Sequence, residues 1–311
     1  MSNLKVYDFG RDKSAFLKAF LPFLIIIHHC ACIGVPHLGP MKLAGVTVCT
    51  WFFLVSGYGL MASFEQKGDA YLSGFIKKRL SKIMIPYIVA FVVYVVWQVT
   101  VEHVGLTAYF VSQNFDHWLP YSWFIFVIMG GYLLFYLTFK YLPTLIALCA
   151  FISISIGYIV VLNLLDVPRY WYGGSLGIAI GMMWRWYESE IRNLLRSNTI
   201  SIILFCSAVV LWVVFSKYIQ FKEFHPLFTS TMLIVLIHRA PFPKNGSLVR
   251  FLSRISFELY LFQALAMRIV FDYLGFNPSW YAMALLLLTD IVISAIFRYG
   301  LIQPILTKLT K

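Results

Sequence analysis

The first apolar segment of the chain contains three basic side chains, Lys18, His28 and His29, and Lys18 and His29 are the two whose spacing could serve chemistry. An imidazole group titrates near neutral pH, so a histidine can remove a proton from a hydroxyl group as a general base. In an α-helix, the spacing of Lys18 and His29 places both side chains within roughly 20° of one face and about 16 Å apart along the axis. A structural histidine, hydrogen-bonded to a neighbouring helix, is the alternative for His29, and position alone leaves both interpretations open.

A run of basic residues, Lys77, Lys78, Arg79 and Lys82, precedes Pro86 after the second apolar segment. Such a cluster at a membrane edge can attract anionic lipid headgroups. It can also bind the phosphates of a cofactor, because charge-assisted hydrogen bonds to phosphate are strong. Composition alone favours lipid contact or membrane topology as the reason for these charges.

Two charged residues, Arg268 and Asp290, lie within the last two apolar segments. Charged groups are costly in lipid and are usually paired or functional there. Helical geometry places these two about 9 Å and 15 Å below the outer membrane edge. We expect them to form a structural ion pair. The loop pairs Glu102–His103 and Asp116–His117 lack the spacing of metal ligands, so we predict no metal site.

These side chains must be positioned by a strongly apolar scaffold. Of the 311 residues, 60% are hydrophobic and only 12% are charged, whereas a soluble domain averages about 25% charged. Lipid leaves open strands and loops with unsatisfied backbone groups, so membrane-spanning segments of this kind are helices. The sequence predicts an all-α, polytopic integral membrane protein that forms one transmembrane domain over residues 1–311.

The apolar runs predict about ten transmembrane helices, since a helix needs roughly 20 mostly apolar residues to cross the hydrocarbon core. Long runs lie at 16–33, 43–62, 83–101, 121–139, 143–164, 199–216 and 280–301. Shorter or more polar runs lie at 171–186, 225–240 and 255–274. In the predicted helix at 171–186, Gly173, Gly177 and Gly181 recur at every fourth residue, a pattern that favours close helix packing.

The basic residues predict the orientation of these helices. With the N-terminus inside, 20 of the 25 lysines and arginines fall on the cytoplasmic side, as the positive-inside rule requires. We therefore expect both termini in the cytoplasm and the chain in the plasma membrane, in contact with lipid. The net charge of +12 is then explained by topology, and no nucleic-acid partner is predicted.

Several segments together resemble the acyltransferase-3 family of bacterial membrane proteins. The matching segments, in chain order, are Lys18 with ten residues before His29, Gly45-Val46, Phe52-Phe53, Ser56-Gly57-Tyr58, Lys77 to Lys82 with Pro86, Trp123-Phe124, Tyr132-Leu133 and Ser256 to Leu261. They cover almost the whole chain. The sequence departs from the family at Lys18, where an arginine is usual, and at Gln263, where a histidine is frequent.

The resemblance implies an O-acyltransferase that moves an acyl group, with acetyl expected, from acyl-CoA to a hydroxyl of a cell-envelope or exported glycan or a related metabolite. It implies His29 as the catalytic base or transient acyl carrier. The residues expected to bind acyl-CoA are Lys18, Lys77, Lys78, Arg79 and Lys82. The residues expected to shape the acceptor site are Ser56, Trp123 and Tyr260.

Two other functions remain open from the sequence. A transporter or flippase of glycans or lipid-linked sugars fits the number of helices, although such proteins often contain internal repeats and none is found in this sequence. A non-catalytic membrane relative fits the replacements at Lys18 and Gln263. A homo-oligomer is compatible with each of the three functions.

Overall fold

The computed structural model describes residues 8–112, 119–217, 222–242 and 244–310. The first α-helices in chain order are α1 (Arg11–Cys32), α2 (Ala44–Lys67), α3 (Asp69–Leu72), α4 (Phe75–Thr100), α5 (Leu106–Ser112), α6 (Trp123–Tyr141) and α7 (Thr144–Leu164). The remaining ones are α8 (Gly177–Trp186), α9 (Glu188–Leu194), α10 (Asn198–Lys217), α11 (His225–Arg239), α12 (Ser247–Arg254), α13 (Ser256–Met267), α14 (Trp280–Phe297) and α15 (Gln303–Thr310). The described residues contain no β-strand, which confirms the all-α class.

Seven helical segments among the described residues are long and apolar enough to cross a membrane. They are Arg11–Cys32, Gly39–Lys67, Phe75–Thr100, Trp123–Tyr141, Thr144–Leu164, Asn198–Ser216 and Trp280–Leu309. Each coincides with one of the seven long predicted runs. The chain is therefore a multi-pass membrane protein, with a helical domain whose outward faces carry large apolar side chains such as Val92, Ile154 and Ile202.

The three shorter predicted runs contain α8, α11 and α13, which have 10, 15 and 12 residues. A π-helical segment, Arg268–Tyr273, continues α13. A 10-residue helix is about 15 Å long, half of the hydrocarbon thickness of a bilayer. The count of ten spans and the cytoplasmic position of both termini therefore stay predictions.

Glycines bring α2 and α8 into backbone contact. A Cβ atom added to Gly181 would lie 2.0 Å from the carbonyl oxygen of Leu54, and one added to Gly57 would lie 2.0 Å from that of Ile178. A Cβ atom at Gly177 would lie 2.6 Å from the carbonyl oxygen of Thr50. The close approach predicted from the glycine repeat is confirmed for Gly177 and Gly181, whereas Gly173 lies before α8 begins. This packing fixes the position of the α2 face that lines the site.

The expected ion pair between Arg268 and Asp290 is wrong. Nη1 of Arg268 lies 2.7 Å from Oε1 of Glu102, which follows the end of α4. Asp290 is fully buried and accepts a hydrogen bond of 3.4 Å from Ser294 on its own helix. Arg268 lies beyond the end of α13, whereas Asp290 is about 15 Å into α14 by helical rise, so a loop carboxylate is the nearer partner. Asp116 and His117 lie outside the described residues.

Candidate active site

One face of α1 lines two cavities in succession. Lys18 and Leu21 line the first cavity, and Ile25 and His29 line the second. These spacings of three and four residues keep the side chains on one face of a helix. The structure thus confirms that Lys18 and His29 share a face, and it places a separate cavity at each of them.

The second cavity, which we call the histidine cavity, has a volume of about 400 Å³. Its walls include His28, His29, Cys49, Tyr121, Trp123 and Tyr260. These side chains come from α1, α2, α6 and α13 and from the residues just before α6. None of the described residues that line it is a lysine, an arginine or a carboxylate. Its surface is thus largely aromatic and apolar, with a few polar atoms, as is typical of ligand pockets.

The two adjacent histidines differ in their hydrogen bonds. Nδ1 of His28 lies 3.0 Å from the carbonyl oxygen of Met41, and since a carbonyl can only accept, the His28 ring donates. The ring of His29 stacks on Tyr121 with centroids 4.0 Å apart and planes 22° from parallel. Neither ring nitrogen of His29 is hydrogen-bonded to a residue that the structure describes. Stacking orients the His29 ring and leaves its nitrogens available to a bound molecule.

Tyr121, the stacking partner of His29, has a strained backbone. Its φ angle is 65°, in the left-handed region that a bulky residue rarely adopts. Its carbonyl oxygen accepts a hydrogen bond of 2.7 Å from the hydroxyl of Tyr260. Strain of this kind costs on the order of 1–3 kcal/mol and persists only where the surrounding structure enforces it. The Tyr260 bond and the His29 stack are two contacts that hold Tyr121 in place.

The cationic cavity is lined by Lys18, Arg79, Lys82, Arg254 and Arg298, together with Glu258, and its volume is about 390 Å³. Arg79 and Lys82 both repel the ammonium group of Lys18 electrostatically. Glu258, which is fully buried, lies 3.0 Å from Nη1 of Arg298. Five cations therefore face one carboxylate, and an anion would relieve their mutual repulsion.

Local helix geometry brings Arg254 and Arg298 to the cationic cavity. α14 ends at Phe297, and a π-helical segment begins at Arg298 and runs to Ile302 before α15. Such π turns re-aim side chains and are frequent at functional sites. Arg254 is the last residue of α12, two residues before α13 begins at Ser256. Two helix ends thus bring arginines to the cavity that α1 and α4 supply with Lys18, Arg79 and Lys82.

A third cavity of about 830 Å³ adjoins the cationic cavity, since Lys18 lines both. Its lining also includes Arg11, Lys67 and Arg185. Arg185 is paired with Glu65 at 2.7 Å and with Glu188 at 2.6 Å, so its charge is largely compensated. This polar cavity extends the cationic one away from His29.

The model of the family described as "Acyltransferase domain" matches residues 15–299 of the chain. This range is nearly the whole chain, and it contains every residue that lines the cationic and histidine cavities. The chain belongs to the acyltransferase-3 family. No curated protein and no solved structure matches it. The family and the seven apolar helices together make this chain a membrane acyltransferase.

The predicted donor residues of this acyltransferase divide into two groups. Lys18, Arg79 and Lys82 line the cationic cavity. Lys77 and Lys78 are on the same helix as Arg79, but they are exposed and do not line this cavity. A role for Lys77 and Lys78 in binding acyl-CoA stays a prediction, and no contact with the cavity supports it.

The predicted acceptor residues are also divided between the cavities. Trp123 lines the histidine cavity and Tyr260 lines both cavities. Ser56 lines only the cationic cavity, where its hydroxyl is 2.6 Å from that of Tyr132. Ser56 is therefore on the Lys18 side of Tyr260, and it does not share a cavity with His29. The role of each residue in substrate binding stays a prediction.

The sequence interpretation missed Arg254, Arg298 and Tyr121 as site residues. From the sequence, both arginines belong to the basic residues expected on the cytoplasmic side, with no role in a site. A signal for Arg298 was available, because a carboxylate such as Glu258 within an apolar helix requires a cationic partner. No sequence pattern pointed to Tyr121. Among the described residues, no cluster of three or more histidine, cysteine, aspartate or glutamate side chains could hold a metal ion.

Proposed function

We propose that the chain is an O-acyltransferase that moves an acetyl group from acetyl-CoA to a hydroxyl of a cell-envelope or exported glycan or a related metabolite. The observation that carries the proposal is the order of the two cavities along α1. A cavity with five cations at Lys18 is followed by an uncharged cavity at His29. This order fits a donor with phosphates at one end and a thioester at the other.

The donor would bind with its phosphates in the cationic cavity. Arginine is suited to this task because its planar group can form two parallel hydrogen bonds to a phosphate. Arg79, Arg254 and Arg298 supply such groups, and Lys18 and Lys82 add point charges. The adjoining cavity at Arg11 and Lys67 is polar and large enough for the nucleotide end of the donor.

The arm of the donor would extend along α1 from Lys18 toward His29. The axial distance between these residues is about 16 Å by helical rise, comparable to the reach of a pantetheine arm. Leu21 and Ile25 line the path between them and present apolar surface. The thioester would then lie beside the free nitrogens of His29.

His29 would act as the general base in the histidine cavity. Its imidazole takes the proton from the acceptor hydroxyl, and the oxygen attacks the carbonyl carbon of the thioester. The carbon–sulfur bond breaks, the thiolate of CoA leaves, and the imidazolium returns the proton to it. Trp123, whose ring centroid is 5.6 Å from that of Tyr170, would form an aromatic wall on the acceptor side.

The proposal includes the topology that the charges predict. Ten spans with both termini in the cytoplasm of a plasma-membrane protein would open the cationic cavity to cytosolic acetyl-CoA. The π segment after α13 and the short α8 and α11 would then be parts of spans that their neighbours complete. Protease or reporter mapping of the loops would test this topology independently of activity.

The test is transfer of a labelled acetyl group from acetyl-CoA to an envelope glycan fraction by the purified protein in proteoliposomes. We expect ester-linked label with the parent protein and its loss with His29→Ala. Undiminished transfer by His29→Ala would remove His29 from the chemistry. Glycan flux without any CoA donor would favour a transporter, and CoA binding without turnover would favour a non-catalytic relative.

A further inference from the structure

The cationic and histidine cavities meet at one side chain. Among the described residues, Tyr260 alone lines both. Its side chain is only 5% exposed, so it fills the space at which the two cavities approach each other. Phe124 packs against it with ring centroids 4.9 Å apart.

Specific contacts hold Tyr260 in this position. Its hydroxyl donates a hydrogen bond of 2.7 Å to the carbonyl oxygen of Tyr121. Tyr121 in turn stacks on His29 at 4.0 Å and carries the strained φ angle of 65°. Tyr121 therefore connects the hydroxyl of Tyr260 to the imidazole ring of His29.

We infer that Tyr260 is a movable partition between the two cavities, closed by its bond to Tyr121 and coupled through Tyr121 to the orientation of His29. A long, thin molecule that enters at Lys18 reaches His29 only when the Tyr260 ring moves aside. The ring belongs to the buried apolar core, and its bond to the carbonyl oxygen of Tyr121 is the directional contact that fixes it in the closed position.

The partition gives Tyr260 a positioning role in the reaction, and this role rests on the proposed function. In the closed state it keeps a thioester, and water that follows it, away from His29. When the ring moves, its bond to Tyr121 breaks, and Tyr121 is free to relax. Arrival of the donor and alignment of the base are thereby linked, and the ring also limits the width of the acyl chain that can pass.

The partition itself can be tested without any enzymatic assay, because Cys49 lies in the histidine cavity and is absent from the lining of the cationic one. In a protein that keeps Cys49 and has serine at the other cysteines, a charged methanethiosulfonate reagent is added to sealed vesicles of each orientation. The reagent thereby reaches the cationic cavity first in one orientation and the histidine cavity first in the other. The fraction of Cys49 thiol that has not reacted is quantified after denaturation of each sample.

From the Lys18 side, we expect slow labelling of Cys49 in the parent protein and fast labelling in Tyr260→Ala. Tyr260→Phe keeps the ring and loses only the bond to Tyr121, so labelling should rise roughly twofold to tenfold, the factor that one neutral hydrogen bond supplies. Tyr158→Phe is the matched control. It removes a tyrosine hydroxyl that donates to a backbone carbonyl, that of Trp171, at 3.0 Å. Tyr158 lines neither cavity, so the variant should leave labelling at the parent rate.

Equal labelling of Cys49 from the Lys18 side in the parent, Tyr260→Phe and Tyr260→Ala would overturn the partition. The conservative phenylalanine variant keeps the test valid if the alanine variant fails to fold. A second readout is hydrolysis of acetyl-CoA without acceptor, which should rise in Tyr260→Phe. The expected labelling pattern in a protein that transfers no acetyl group would contradict the proposed function and leave the partition intact.

Discussion

The cationic and histidine cavities have nearly the same volume, about 390 and 400 Å³, and adjoin at Tyr260. Their chemistry is opposite. The first collects five cations against one carboxylate, and the second is lined by aromatic and apolar groups around two histidines. The difference shows how a membrane protein can keep a strongly charged cavity apart from a weakly polar one along a single helix face.

Each cavity also solves a different problem of positioning. In the cationic cavity, the end of α12 and the π-helical segment after α14 bring Arg254 and Arg298 to the same cavity. In the histidine cavity, ring stacking on Tyr121 orients His29, and no residue that the structure describes is hydrogen-bonded to its ring nitrogens. Charges are thus gathered where an anion can bind, and the His29 ring has no hydrogen-bond partner among the described residues, as the proposed general base requires.

The largest expected effect separates the two histidines. His29→Ala should reduce kcat for acyl transfer by about 100-fold to 10,000-fold, the usual contribution of a general base. His28→Ala is the matched control, because His28 donates its hydrogen bond to Met41 and should lower kcat far less. Steady-state kinetics with labelled acetyl-CoA measure both. Equal losses in the two variants would show that the cavity acts through its structure rather than through one base.

The next effect concerns Glu258, the carboxylate that lies among the cations of the cationic cavity. Arg298→Met should destabilise the protein by about 3 kcal/mol, because it leaves the buried charge of Glu258 without its partner. The double variant Glu258→Gln/Arg298→Met should recover most of this loss, since no buried charge remains unpaired. Thermal unfolding in detergent compares the variants. If the double variant is as unstable as Arg298→Met, the pair is not what stabilises this cavity.

A smaller effect tests the packing of α8 against α2, the helix that supplies Cys49 to the histidine cavity and Ser56 to the cationic one. Gly181→Ala should destabilise the protein by about 1–3 kcal/mol, because its Cβ would overlap the carbonyl oxygen of Leu54 and push α8 from α2. Gly157→Ala, on α7, meets no atom within 4 Å and should change stability by less than about 1 kcal/mol. The same unfolding assay applies. Equal stability of both variants would contradict the close packing of α2 and α8.

The smallest effect sharpens the boundary of the donor site. Arg79→Ala should raise KM for acetyl-CoA about tenfold by removing one charge-assisted phosphate contact. Lys78→Ala, one residue earlier but outside the cavity, should change KM by less than about twofold, as for an exposed charge. Titration with CoA provides the same comparison without turnover. A larger effect of Lys78→Ala would extend the donor site beyond the cavity to the exposed basic run.

Sequence reasoning predicted the features that depend on local periodicity. The shared face of Lys18 and His29 follows from helical geometry, and the seven long spans follow from apolar length. Close packing at α8 was visible in Gly177 and Gly181, because glycines at four-residue spacing leave a flat helix face. That α2 is the partner helix was not visible.

Features that depend on three-dimensional arrangement could not be read from the sequence. The bond of Arg268 to Glu102 joins residues far apart in the chain, and no periodicity encodes it. The position of Ser56 on the Lys18 side follows from where Tyr260 packs. Likewise, Lys78 and Arg79 are neighbours in the sequence, but the helix turns only Arg79 toward the cavity.

The division of labour between the two cavities is tested most directly by one kinetic experiment. Transfer of a labelled acetyl group from acetyl-CoA to an envelope glycan fraction is measured over a range of donor concentrations for the parent, His29→Ala and Arg79→Ala. We predict that His29→Ala loses kcat with little change in KM, and that Arg79→Ala raises KM with little change in kcat. Undiminished transfer by His29→Ala, or a change of the same parameter in both variants, would contradict the separation of donor binding from chemistry.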